Sequence, residues 1–236
     1  MISIAMILAA GRGVRMKNLT DNLPKPLIPV LGEPIIDGIV GKLKSHGVAD
    51  IVVNTCYLGE MIKADLKKHA GVRFHFSDEA VALETGGGVK KALPLLLPKG
   101  RDGFFVTNAD PLWRDKTTSV FAQLEQAWRP DAMDALLALI PLDQAFGDVS
   151  DGNYFLENGR PRRQRPGEKN IPYLFTGIQI LHPRLFDGAP DGAFSVRDLY
   201  DAAEKKGRLG YIVYDGDWFH IGTPEALAET ERILSP

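Results

Sequence analysis

Apolar positions along the first 140 residues alternate between two rhythms. Residues 3–8 form a short apolar run that ends in small residues and glycine, the pattern of a buried strand. Pro34 suits the first turn of a helix, where its missing N–H costs nothing. From there Ile35, Ile36, Ile39, Val40 and Leu43 fall at helical spacing, and Gly47 marks the stop. Residues 50–54 (DIVVN) predict a second buried strand, 57–69 a helix with a polar face, and 72–76 an alternating strand. A short helix is predicted over 88–97, and apolar strands over 104–107 and 135–140. Strand–helix–strand repetition predicts an α/β fold: a Rossmann-like, mixed but mostly parallel sheet with helices on both faces, joined by right-handed crossovers.

Beyond residue 140 the texture changes. Residues 147–170 (GDVSDGNYFLENGRPRRQRPGEKN) are rich in glycine, proline and charge, and ENG at 157–159 predicts a hairpin turn. No linker-like stretch and no internal repeat interrupts the chain. Residues 1–236 therefore read as one domain, with a core over 1–140 and an inserted, lid-like part within 141–236.

Composition narrows the partners. With 28 Lys and Arg against 30 Asp and Glu, the 236-residue chain has a net charge of −2, which leaves no basic footprint for nucleic acid or an anionic membrane. A small-molecule partner fits better. The single cysteine, Cys56, excludes an internal disulfide framework and a multi-cysteine zinc site. No run approaches the roughly 18–20 apolar residues of a membrane span. The first residues lack the basic-then-apolar pattern of a secretory signal, so a cytoplasmic protein is expected, as a monomer or weak homodimer.

The chemistry concentrates in MILAAGRGVRMKNLTDNLPKPLIPV, residues 6–30. Ligands of open parallel sheets bind beyond the carboxyl ends of the strands, where the loop after the first strand lies. Gly11 and Gly13 let backbone N–H groups approach phosphate oxygens, Arg15 can fork two donors onto a phosphate, and Lys25 supplies a compact charge between two prolines. Val14 after Gly13 departs from a P-loop, and Met16 stands where a dinucleotide fingerprint needs its third glycine. The stretch reads as a nucleotide-phosphate site of another kind.

LAAGRGVRM followed by LPKPLIPV resembles the signature of the sugar-1-phosphate nucleotidyltransferases, which join a nucleoside triphosphate to a sugar 1-phosphate and release pyrophosphate. The resemblance extends over almost the entire chain. LETGGG (83–88) is similar to the family's base-recognition loop, TNAD (107–110) to its metal-binding aspartate turn, and FTGI (175–178) and WFHIGTPEAL (218–227) to its sugar-site and closing motifs. Within the family, LETGGG, FTGI and ILHP (180–183) are most similar to the N-acetylmuramate-1-phosphate uridylyltransferases of cell-wall recycling. Mannose-1-phosphate guanylyltransferases, glucose-1-phosphate thymidylyltransferases and, in a different class, a silent nucleotide-sugar sensor are the other readings.

This resemblance implies roles. Leu8, Ala10 and Gly11 line the base and ribose, with Gly13 and Arg15 on the triphosphate; Arg15 grips the leaving pyrophosphate and Lys25 the α-phosphate. Glu84, Thr85 and Gly86 meet the pyrimidine, with UTP the favoured nucleotide. Asp110 holds Mg²⁺ between the α-phosphate and the incoming sugar phosphate. Asn108, Gly147, Glu168, Lys169 and Thr176 match positions that bind the sugar phosphate, and one of Arg160, Arg162, Arg163 and Arg165 is a candidate for the lactyl carboxylate of N-acetylmuramate. The sequence departs from the family in one telling place. The closing motif usually reads W-x-D-x-G-T, its aspartate being the second metal ligand, whereas this chain has Trp218-Phe219-His220-Ile221-Gly222-Thr223. Imidazole suits Mn²⁺ or another softer ion better than Mg²⁺. His220 either ligates such a metal, or hydrogen-bonds a metal-bound water or phosphate, or marks a weakened enzyme.

Overall fold

The structure, a computed structural model, describes residues 1–235. The first half of the chain supplies β1 (Ile4–Leu8), the two-residue hairpin strands β2 (Pro29–Val30) and β3 (Glu33–Pro34), α1 (Ile35–Ser45), β4 (Asp50–Thr55), α2 (Gly59–Leu66), β5 (Arg73–Asp78), α3 (Glu84–Leu96) and β6 (Phe104–Asn108). β1 pairs in parallel with both β4 and β6, and β4 with β5, so β1 is a central strand. Its alternation feeds two cores. Ala5 and Ile7 pack with Ile35, Ile39 and Leu43 of α1 on one face, while Ile4 and Met6 pack with Val89, Ala92 and Leu96 of α3 on the other. Each such side chain contributes about 1.5–3 kcal/mol by leaving water, which explains why the run must be apolar at every position.

The second half adds β7 (Pro111–Asp115), α4 (Val120–Ala127), β8 (Ala135–Pro141), β9 (Ala145–Gly147), β10 (Tyr154–Glu157), β11 (Arg160–Arg163), β12 (Tyr173–Leu181), α5 (Arg197–Lys205), β13 (Leu209–Val213), β14 (Gly216–His220) and α6 (Pro224–Leu234). β12 runs antiparallel to β6 on one side and to β8 on the other, and β13 lies parallel to β8. The resulting nine-stranded sheet is mixed, with a parallel block β6-β1-β4-β5. The β10–β11 hairpin turns at Asn158 and Gly159, both at positive φ, as the ENG signal implied. β14 sits in a separate three-stranded sheet between β7 and β9, which carries His220 across from the end of β6.

Two helices differ from the pattern reading. The helix predicted over 57–69 is shorter, because Leu58 adopts a left-handed conformation and Tyr57 turns away to donate to the carbonyls of Thr20 and Asp21 at 2.8 and 2.7 Å. α3 begins at Glu84 rather than 88 and runs straight through Gly86-Gly87-Gly88. Glycine disfavours a helix by about 1 kcal/mol each, and here packing overrides it. A Cβ on Gly86 would collide with the Phe194 ring, one on Gly87 with the Gly192 carbonyl, and one on Gly88 would lie 2.8 Å from Asn54 Nδ2. The triple glycine is what lets the start of α3 press against its neighbours.

Candidate active site

The carboxyl ends of β1, β4 and β6 open onto one edge of the sheet. There the Ala9 N–H donates to Asn54 Oδ1 at 2.8 Å, Asn54 Nδ2 donates to Glu79 Oε1 at 2.7 Å, and Glu79 Oε2 accepts from the Leu83 N–H at 2.8 Å. Asn54 and Glu79 are both buried. Buried polar groups are retained where they are satisfied, and this chain of bonds fixes the loop after β1 against the start of α3. Gly13 has φ +68°, and a Cβ there would lie 2.9 Å from the Lys25 Cβ; its bareness lets the lysine stem pass beneath the loop. Gly11 has nothing within 4 Å of its absent Cβ, so no packing requires it. It leaves space toward the cavity instead.

That stem delivers Lys25, only 8% exposed, to Asp110 just past β6, with Nζ 2.8 Å from Oδ2. His220, at the end of β14, brings Nε2 to 3.5 Å from the same oxygen. Its other nitrogen, Nδ1, lies 2.9 Å from the Asp148 carbonyl. A carbonyl can only accept, so Nδ1 carries a hydrogen; Nε2, facing Asp110, donates to the carboxylate when the ring is protonated and presents a lone pair when it is neutral. Burial opposes ionisation of Asp110, yet the hydrogen bond with His220 and the charge of Lys25 overcome it and hold the carboxyl well below the usual carboxylate range. Burial likewise opposes charge on His220, and the neighbouring Asp110 carboxylate outweighs it, raising the imidazole above its ordinary value. A carboxylate flanked by an ammonium and an imidazole is a charged cluster ready to meet phosphate.

Two cavities meet at this cluster. One, of about 440 Å³, is lined by Leu8, Ala10, Gly11, Gly13, Glu84 and Thr85 together with Arg15, Lys25 and Asp110. The other, of about 700 Å³, shares Leu8, Arg15, Thr85, Asn108 and Asp110 with the first and continues past Glu168, Thr176 and His220. Arg15 stands at the junction, paired with Asp148. The structure therefore gathers most of the residues singled out in the sequence into one double cleft. Of the four candidate arginines only Arg163 lines it, and three of the residues given single roles stay outside it. Gly86 is packed under Phe194, to whose carbonyl its N–H donates at 2.9 Å, so it shapes α3 rather than facing the cleft. Gly147 backs onto the His220 carbonyl with φ +86°, supporting β14, and Lys169 projects from the exposed segment before β12.

Several residues of the cleft went unread in the sequence. Asn54 carried a usable signal, a polar residue closing the apolar strand DIVVN. Asp148, which holds both Arg15 and His220, carried none, because its partners lie far away in the chain. Asn153, whose Oδ1 accepts from the Phe175 N–H at 2.8 Å, looked like any loop asparagine.

Residues 4–235 match the family model described as Nucleotidyl transferase. The chain belongs to this family. Among curated relatives of this nucleotidyl transferase, the N-acetylmuramate alpha-1-phosphate uridylyltransferase of Caulobacter vibrioides is 35% identical, with 98% of this chain and 97% of the relative covered. The protein of the same description from Neisseria meningitidis serogroup B is 34% identical, with 97% of each chain covered. A crystal structure of UDP-glucose pyrophosphorylase complexed with UDP-glucose superposes with a TM-score of 0.79 at 18% identity, covering 99% of this chain and 98% of that one. The likeness of LAAGRGVRM, LPKPLIPV and TNAD to the sugar-1-phosphate nucleotidyltransferases is thus borne out over the full chain, as is the α/β fold.

Among the described residues no group of three or more His, Cys, Asp or Glu side chains is placed to hold a metal ion. Asp110 and His220 supply two donors. Divalent ions at nucleotide sites commonly take one or two protein ligands and complete their shell with substrate phosphates and water; the carboxylate suits any such ion, and the imidazole favours a softer one such as Mn²⁺ over Mg²⁺. No helix is long and apolar enough to cross a membrane.

Proposed function

We propose that this nucleotidyl transferase joins UTP and N-acetylmuramate 1-phosphate, giving the UDP-sugar and pyrophosphate for reuse of cell-wall sugar in the cytoplasm. The observation that carries the reading is the Lys25–Asp110 pair where two cavities meet, Asp110 lining both. Both relatives described above bear this activity in their names and are matched end to end.

In this reading uracil and ribose occupy the smaller cavity against Leu8, Ala10, Gly11, Glu84 and Thr85, and the triphosphate passes Gly13. An oxygen of the sugar phosphate attacks the α-phosphorus, the bond from that phosphorus to the β-bridging oxygen breaks, and pyrophosphate leaves with the electron pair. The attacking oxygen is already anionic at neutral pH, so no general base is required. Lys25 meets the charge that builds on the α-phosphate, and Arg15 releases Asp148 to hold the leaving pyrophosphate. Preorganised cations of this kind are the main catalytic device in phosphoryl chemistry. Asn108, Glu168 and Thr176 line the acceptor side. Asp110 and His220 would hold Mg²⁺, or a softer ion such as Mn²⁺, which would supply further neutralisation of phosphate charge.

Pyrophosphate release tests the reading. UTP, GTP and dTTP are each paired with the 1-phosphates of N-acetylmuramate, N-acetylglucosamine, mannose and glucose. UTP with N-acetylmuramate 1-phosphate is expected to give the highest kcat/KM; a maximum at GTP with mannose 1-phosphate, or no release with any pair, overturns it.

A further inference from the structure

The sugar cavity contains one cation that the protein leaves uncommitted. None of the four arginines of the 160–165 segment fills that role. Arg162 is tied to Glu157 at 2.8 Å and Glu168 at 2.9 Å, and Arg163 is tied to Asp201. Arg160 lies against Gly207, and neither it nor Arg165 lines the cavity. Arg197, at the start of α5, does line it, and among the described residues its guanidinium has no ion-pair or hydrogen-bond partner.

Two groups that share the cavity with Arg197 are donors too. Tyr154 is 2% exposed, lines the same cavity, and its hydroxyl makes no hydrogen bond within the protein. Burial raises the pKa of this phenol, so it remains a proton donor throughout the physiological range. Gln179, also 2% exposed, accepts the Tyr200 hydroxyl on Oε1, which leaves its NH₂ group facing the cavity. The carboxylates that share this cavity are already engaged. Asp148 pairs with Arg15, Glu168 with Arg162, and Asp151 Oδ1 accepts the N–H groups of Gly152 and Ile171 at 2.9 and 3.1 Å. A hydroxyl and an amide that line a cavity without protein partners are free to donate to a ligand there, and a guanidinium sharing the cavity favours a planar anion that takes two parallel bonds.

We propose that Arg197, with Tyr154 and the Gln179 amide, forms a carboxylate-recognition subsite that selects acidic sugar phosphates over neutral ones. Its residues stand on β10, β12 and the start of α5, and they share the cavity with Asp110 and His220, which flank the reacting phosphates in this reading. It deepens the function proposed above and rests on it for the acceptor being a sugar 1-phosphate. An N-acetylmuramate 1-phosphate differs from its N-acetylglucosamine counterpart by a lactyl carboxylate, the group such a subsite needs.

The test is kcat/KM for wild type, Arg197→Ala, Arg197→Lys and Tyr154→Phe on four acceptors with UTP. Two carry a carboxylate, N-acetylmuramate 1-phosphate and glucuronate 1-phosphate, and two do not, N-acetylglucosamine 1-phosphate and glucose 1-phosphate. In Arg197→Ala the preference for the acidic over the neutral member of a pair is expected to fall roughly tenfold or more, as for loss of one charge-assisted hydrogen bond. The change should appear mainly in KM, with partial rescue in Arg197→Lys and a smaller loss in Tyr154→Phe. An unchanged preference overturns the subsite while leaving the proposed reaction intact. An equal loss on all four acceptors also overturns it, because Arg197 then serves the phosphate common to them. A wild-type preference for glucuronate that is lost in Arg197→Ala overturns the muramate assignment and supports the subsite. A wild-type preference for neutral sugars overturns both.

Discussion

His220 turns Nε2 toward Asp110 Oδ2 at 3.5 Å while its Nδ1 donates to the Asp148 carbonyl at 2.9 Å. With Nδ1 committed to that carbonyl, Nε2 is the nitrogen left for a proton or a metal ion, and neutral Nε2 presents a lone pair to the carboxylate. Two lone pairs facing each other call for a cation between them, either a proton or a metal ion. Replacing His220 by aspartate exchanges a nitrogen ligand for a hard oxygen one. The ratio of kcat/KM in Mg²⁺ to that in Mn²⁺ is expected to rise roughly tenfold or more in His220→Asp, in line with oxygen preference. The same ratio in both proteins excludes a ligand role for His220.

Arg15 is more than half exposed, and its bond to Asp148 crosses the mouth between the two cavities. Exposed ion pairs are worth at most about 1 kcal/mol, so the pair is a poor structural element. Arg15→Ala is expected to change unfolding free energy by less than about 1 kcal/mol while lowering kcat/KM for the nucleotide by roughly 10²-fold. Urea unfolding and steady-state kinetics on the same variant separate the two effects. A large stability loss with full activity assigns Arg15 to the fold.

Glycines of the two glycine-rich stretches serve opposite ends. A Cβ on Gly87 would run into the Gly192 carbonyl, a backbone atom that cannot turn aside, whereas Gly11 has open space. Gly87→Ala is expected to cost about 3 kcal/mol or more through overpacking. Gly11→Ala should stay within about 1 kcal/mol of wild type yet weaken UTP binding, because its methyl projects into the smaller cavity. Thermal unfolding and nucleotide titration check both; the reverse ordering of stabilities contradicts this assignment.

The contrast also shows where sequence reading stops. Continuous apolar runs placed β1, β4 and β6, and period-3.6 spacing placed α1, to within a few residues, because a strand covered on both faces must be apolar throughout and a packed helix along one face. Gly11, Gly13, Arg15 and Lys25 were legible because their spacing along a single loop carries the chemistry. Gly86 to Gly88 were not, since the reason for their bareness lies in residues 54, 192 and 194, brought close only by tertiary packing. Asp148 and Arg197 were missed for the same reason: a charged residue in a polar segment looks solvated until its neighbours are known. The hairpin at ENG succeeded because its geometry is encoded in the two residues that need positive φ.

Asp50 opens β4 from a buried position, and its carboxylate meets Arg73 Nη2 at 2.7 Å, Lys99 Nζ at 2.5 Å and His75 Nε2 at 3.1 Å. The Arg73 hydrogen bonds, with help from Lys99 and His75, outweigh burial and hold its pKa far below the ordinary carboxylate value. A depressed folded-state pKa gives stability that is fully present above the unfolded value near 4 and is lost as pH falls through the folded one. Asp50→Asn is expected to destabilise the protein by on the order of 2 kcal/mol at pH 7. The gap to wild type should narrow steadily as pH drops below about 4. A gap independent of pH, measured by urea unfolding from pH 7 to 2.5, contradicts the ion-pair origin.

The Lys25–Asp110 pair stands where the two cavities meet, and the reverse reaction reads its contribution without ambiguity about which acceptor is supplied. Wild-type protein incubated with UDP-N-acetylmuramate and labelled pyrophosphate is expected to form labelled UTP. Lys25→Ala and Asp110→Ala, both still folded by circular dichroism, should form it at least roughly 10²-fold more slowly. Labelled UTP appearing at the wild-type rate in both variants means that the cluster at the end of β6 does not carry the transfer.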